Sequence, residues 1–241
     1  MNECIFLAGA SGAIGRRLAP LLVADGWRVV GTTRSADKAP LLRAMGVEPV
    51  VVDVFDAAAL RRAVADARPE AVLHQLTDLP YALEASKMAD ALVRNARLRD
   101  EGTRNLVAAA VGAGARRLVA QSIGFIYAEG PTPHREEDPL LPETHPLYGG
   151  TVTGVLRLER QVLDAPLEGV VLRYGMFYGP GTGIAAPAGP GSVHVDAAAR
   201  AAVVALTRAR PGVYNVAEAD GAVDVQKAVR DLGWDPSFRI A

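Results

Sequence analysis

Short apolar runs alternate along the chain with longer stretches in which apolar residues recur every three or four positions. The runs CIFLAG (4–9), RVVGTT (28–33), VEPVVVD (47–53), AVLHQL (71–76), RLVAQS (117–122) and GVVLRYG (169–175) carry few charges and read as strands buried on both faces. Between them Ile14, Leu18, Leu21 and Leu22 share one helix face, as do Leu60 with Val64, and Leu106 and Val107 with Ala110. Strand, helix, strand in repetition requires parallel strands joined by right-handed crossovers, which predicts an α/β fold with helices on both sides of one doubly wound parallel sheet. Two stretches break the rhythm. Residues 128–147 hold five prolines and no periodicity, and 179–191 are rich in Gly and Pro. Beyond the second, Asp196 is expected to cap a helix whose apolar face includes Val203, Val204 and Leu206, followed by one more strand and a short helix. The whole of 1–241 reads as a single domain, with a small substrate-binding lobe formed mainly from 179–241.

Composition narrows the function. The chain has 241 residues, 50% of them apolar, enough to bury a core without a partner. Its 26 basic and 27 acidic side chains nearly cancel and the arginines form no basic block, so no nucleic-acid partner is expected. A single cysteine, Cys4, rules out a disulfide framework or a Cys-based metal centre, and no His and carboxylate residues fall at ligand spacing, so no metal is expected. No apolar run approaches the roughly 18–20 residues that span a bilayer. The opening MNECIFLAGASG lacks the basic segment and sustained apolar stretch of a signal peptide. The expectation is a protein without a membrane partner, located in the cytoplasm.

The strongest chemical signal is IFLAGASGAIGRRLAPLL (5–22), in which a strand leads into Gly9, Gly12 and Gly15 and then into an amphipathic helix. Glycines let such a turn tighten and approach a pyrophosphate, while the helix N-terminus offers free N–H groups. Gly9, Ser11, Gly12, Ala13, Ile14 and Gly15 are therefore predicted to hold a dinucleotide. At the end of the second strand stand Thr33, Arg34 and Ser35, with Lys38 nearby, where an acidic residue would favour NAD. A guanidinium at Arg34 suits a 2′-phosphate, which favours NADP(H), with NAD(H) as the other candidate. Asp53, with Val54 after the third strand, would contact the adenine or cap the next helix along with Asp56.

These motifs resemble the short-chain dehydrogenase/reductase superfamily in its extended form, the NAD-dependent epimerase/dehydratase family. GASGAIG is similar to that family's glycine motif, EGTRNLVAAAVGAGARRLVAQSIGFIYA to its fourth helix and fifth strand, LRYGMFYGPG to its sixth strand, and VHVDAAARAAVVAL to a later strand and helix. The resemblance covers most of 3–216 and implies a Rossmann-type sheet. It also implies a Ser or Thr near the end of the fifth strand and a Tyr and Lys four apart in the next helix. The Tyr would exchange a proton with the substrate oxygen, the Ser would hydrogen-bond it, and the Lys would acidify the Tyr and hold the nicotinamide ribose. Ser122 and Tyr148 match the first two, but the lysine position is Val152.

No other lysine has a spacing that requires it to fill that place: Lys38 follows the second strand, Lys87 the fourth, and Lys227 lies in the tail. His74, which ends the fourth strand, is a further catalytic candidate with a structural alternative, and Gln75 and Leu76 beside it would border the cofactor. Tyr174 and Phe177 would line the nicotinamide pocket or serve as core aromatics. The resemblance implies an NAD(P)-dependent oxidoreductase with an atypical site, acting on a small carbonyl or hydroxyl compound. The alternatives are a non-redox isomerase, cyclase or lyase, or a cofactor-sensing protein. It also implies a homodimer, to which Leu156, Leu158 and Val162 would contribute unless they pack within the monomer.

Overall fold

The computed structural model describes residues 3–240. The chain opens with β1 (Cys4–Ala8), α1 (Ala13–Ala24), β2 (Arg28–Thr33), α2 (Ala39–Ala44) and β3 (Glu48–Val51). It continues through α3 (Ala57–Ala67), β4 (Ala71–His74), α4 (Ala85–Arg97), α5 (Thr103–Gly112) and β5 (Arg117–Ile123). Then come α6 (Gly149–Leu163), β6 (Glu168–Tyr174), β7 (Met176–Tyr178), β8 (Ser192–His194), α7 (Val195–Arg208), β9 (Gly212–Val216) and α8 (Gln226–Leu232). Seven strands form one parallel sheet in the order β3-β2-β1-β4-β5-β6-β9, and β7 pairs with β8 in a separate two-stranded ribbon. The order reverses between β1 and β4, which opens a crevice at the carboxyl ends of the strands.

The alternating faces of these strands feed two cores. Ile5, Leu7, Leu73, Val119 and Leu172 point to the face covered by α1, α7 and α8. Phe6, Val72, Leu118, Ala120 and Val171 point to the face covered by α3, α5 and α6. A third, smaller cluster joins Ile123 and Ile126 to Val152 and Val155 of α6. Fully enclosing one such aliphatic side chain contributes about 1.5–3 kcal/mol, so the β1 and β5 interiors are the rigid base on which the strand ends are held.

The caps at Asp196 and Asp53 differ from expectation, and the one at Asp56 agrees with it. The helix cap before α7 is His194, whose Nδ1 accepts from the Asp196 amide, while Asp196 itself lies in the first turn and ion-pairs with Arg17. Asp56 caps α3 through the Ala59 amide, and Asp53 instead accepts from the Phe55 amide. The segment 85–97 forms α4, a helix that the strand-and-helix pattern did not mark, with Lys87, Asp90, Arg94 and Arg97 exposed on its outer side. Among the described residues no helix is long and apolar enough to cross a membrane.

Candidate active site

Where β1 ends, Gly9 adopts φ +91°, and a Cβ there would lie 2.5 Å from the Gln75 carbonyl oxygen at the end of β4. Gly15 is equally constrained: its Cβ would lie 2.3 Å from the Gly9 oxygen, so only glycine lets the first turn of α1 press against the loop. Gly12 precedes α1 without a side-chain cap, leaving the first-turn N–H groups and the positive end of the helix dipole unanswered by protein. Ser11 donates to Thr33 Oγ1 at 3.3 Å and ties this loop to the end of β2.

A cleft of about 760 Å³ opens from the loop and runs across the strand ends. Thr33 and Arg34 border it after β2, Asp53 and Val54 after β3, and Gln75 and Leu76 after β4. Ile14 does not; it is buried in the core beneath. The Gln75 side chain borders the Tyr174 hydroxyl, yet neither of its buried carboxamide atoms completes a hydrogen bond. An uncapped helix terminus, a loop that excludes side chains, and an orphaned amide beside the cleft fit a dinucleotide.

Of the three residues expected to carry catalysis, one borders the cleft. Tyr148 stands at the start of α6, 43% exposed, and borders the cleft. Ser122 is fully buried and donates to Glu159 Oε1 at 2.7 Å, within a closed network in which Arg173 grips both Glu159 oxygens at 2.9 and 2.7 Å. His74 is also fully buried: its Nδ1 accepts from the Leu76 amide, and Nε2 lies 2.9 Å from Thr103 Oγ1. Burial, assisted by the Arg99 cation, pushes the His74 pKa down to about 4. Val152 packs against Ile123, Ile126 and Val155, while its neighbour Thr151 borders the cleft. Phe177 borders the cleft, but Tyr174 is enclosed and donates to the Ala198 carbonyl at 3.2 Å. From 179–191, Gly181, Thr182 and Ile184 reach the cleft, whereas α7 and α8 pack into the core.

A family model described as NAD(P)H-binding matches residues 9–208. The chain belongs to the extended short-chain dehydrogenase/reductase superfamily. It is an NAD(P)-binding enzyme. A 3-diazoavenalumate denitrifying reductase from a Streptomyces species is 41% identical, with the alignment covering 96% of this chain and 82% of that one. In fold the enzyme is similar to UDP-glucose 4-epimerase of Thermotoga maritima (TM-score 0.79, 19% identity, 98% of this chain and 94% of that one). It is similar also to Bordetella bronchiseptica WbmG in complex with NAD (TM-score 0.76, 19% identity, 100% and 91%).

The expected preference for NADP(H) is corrected to NAD(H). Seven solved structures similar to this superfamily member are NAD complexes. In the structure part of the Arg34 guanidinium is engaged by Asp78 at 3.3 Å, a carboxylate that it shares with Arg94 at 3.2 Å. Asp78 comes from the loop after β4, a contact that sequence spacing does not reveal.

Sequence reading also missed Arg99, which borders the cleft while only 7% exposed. In ARLRDEG the dense charge pattern resembles a solvated helix face, and only the packing of the helix turns this one arginine inward.

Proposed function

We propose that this enzyme replaces a diazo group by hydrogen on a small carboxylate-bearing substrate, with NADH as the reductant. The observation that supports it best is the dismantled proton machinery: Ser122 and His74 are sealed in buried hydrogen bonds, position 152 is an apolar core residue, and Tyr148 alone faces the cleft. Carbonyl reduction needs both a hydride at carbon and a proton at oxygen. A reduced nicotinamide held by the Gly9–Ala13 loop would supply the hydride equivalent, and with the substrate in its diazonium form the balance is R–N₂⁺ + H⁻ → R–H + N₂, the C–N electron pair leaving on dinitrogen. No proton is delivered to an oxygen, and a lysine-acidified tyrosine has no task. The 41% identical relative, a denitrifying reductase of a diazo compound, supports the same reading.

In this assignment the loop from Gly9 to Ala13 holds the pyrophosphate, Thr33 and Asp53 flank the adenosine half, and Gln75, Leu76 and Phe177 border the nicotinamide half. Tyr148 and Thr151 orient the substrate. The test is turnover of 3-diazoavenalumate with NADH deuterated at the hydride position. One N₂ is expected per NADH oxidised, with deuterium retained at the carbon that lost nitrogen. Tyr148→Phe is expected to slow turnover by less than the roughly 100-fold that loss of a general acid costs. Hydrogen arriving from solvent, or loss of activity in Tyr148→Phe on that scale, would refute the assignment in favour of proton-requiring reduction.

A further inference from the structure

The helical turn Leu98–Gly102 that joins α4 to α5 is a π-helical turn, a rare irregularity that re-aims side chains and recurs at functional sites. It carries Arg99. Two other arginines are buried to a similar degree, and both are answered by carboxylates: Arg117 by Glu168 and Arg173 by Glu159. Among the described residues the Arg99 guanidinium has no comparable ion pair or hydrogen bond. The acids beside it in sequence face elsewhere, Asp100 to Arg157 and Arg104, and Glu101 to Arg97. Glu159 is the acid whose field reaches it, and the oxygens of Glu159 are already taken by Arg173 and Ser122.

Burial lowers the Arg99 pKa only to about 10, so the group remains a cation at neutral pH. An enclosed cation with no partner is costly to fold, and Arg99 borders the cleft that Gln121, Tyr148 and Thr151 also line. The glycine loop lies after β1, whereas Arg99 follows β4 on the side of α6. The uncapped α1 terminus and the glycine loop give the dinucleotide's phosphates a cradle that does not draw on Arg99. The same cleft has an apolar wall that includes Met88, Leu92, Ile123 and Phe125.

We propose that Arg99 is the anchor for the substrate's anion, its guanidinium fork receiving the carboxylate of an aromatic acid whose body lies against that apolar wall. The planar fork matches a carboxylate in two parallel hydrogen bonds, which a single ammonium cannot reproduce. This assignment rests on the cleft being the substrate site of a reductase that acts on a carboxylate, and it deepens that reading by naming the group that selects for charge.

The test is calorimetric binding of cinnamate and of methyl cinnamate to the NADH-loaded enzyme. The acid is expected to bind about 10- to 100-fold more tightly than the ester, the scale of charge-assisted hydrogen bonds. Arg99→Met is expected to erase that difference while leaving NADH affinity in place, and Arg99→Lys to keep part of it. Equal binding of acid and ester by the native enzyme would overturn the proposal, as would a preference that survives Arg99→Met. Loss of NADH binding in Arg99→Met with retained circular dichroism would also overturn it, by placing the guanidinium on the cofactor. If Arg99→Met does not fold, the native comparison and Arg99→Lys still decide. Cinnamate has no diazo group, so its failure to bind and a failure of nitrogen release are separate results.

Discussion

His74 provides a quantitative test of how the strand ends are built. With Nδ1 accepting from the Leu76 amide at 3.3 Å, the ring proton resides on Nε2, which donates to Thr103 Oγ1 at 2.9 Å. Charging this ring would place a second proton on the nitrogen that must accept, inside a fully enclosed site and near the Arg99 cation. These effects lower its pKa from 6.5 to about 4, with burial the larger cause. The unfolded chain therefore takes up a proton near pH 6.5 that the folded protein refuses until near pH 4. Stability from this group is complete above the unfolded value and is lost as pH falls through that window. At about 1.36 kcal/mol per unit, the loss between pH 7 and pH 4.5 comes to about 2.5 kcal/mol. Urea unfolding of the native protein and His74→Gln at both pH values measures it. The amide of glutamine cannot take a charge, and the carboxylates shared by both proteins cancel in the comparison. The native protein is expected to lose about 2.5 kcal/mol more than the variant; equal losses to within about 0.5 kcal/mol would refute the argument.

Gly9→Ala must adopt a left-handed conformation at about 1–2 kcal/mol and still meets the Gln75 carbonyl. Displacement of the phosphate cradle is expected to weaken NADH binding about 10- to 100-fold in a fluorescence titration. Glu159→Gln removes the carboxylate that answers Arg173 and is expected to cost about 3–5 kcal/mol. At about 2–4 °C per kcal/mol for a chain of this size, Tm should fall by roughly 6–20 °C in a thermal melt. Replacing Glu159 and Arg173 together by Met should recover part of that loss, because no buried charge is then left alone.

The sequence by itself determined the sheet and the glycine loop at one end of the cleft. The runs 4–9 and 71–76 contain β1 and β4 and hold no Asp, Glu, Lys or Arg, because a strand buried on both faces can afford almost no charge. Gly9 and Gly15 were legible because backbone crowding excludes every other residue, a constraint written directly in residue type. What only the tertiary structure decided is the direction of polar side chains. Ser122 sits at the strand end where a catalytic hydroxyl is sought, but it turns to Glu159, 37 residues away, because Arg173 has brought that carboxylate into the core. Arg34 turns to Asp78, 44 residues away, which also pairs with Arg94. Arg99 looks like any exposed helix arginine until the π-helical turn aims it into the cleft. Apolar periodicity reports which face of an element is buried, because burial depends on local spacing along the chain. The partner of a buried charge is chosen by which distant residues the packed elements bring within hydrogen-bond reach, and that information exists only once the chain has folded.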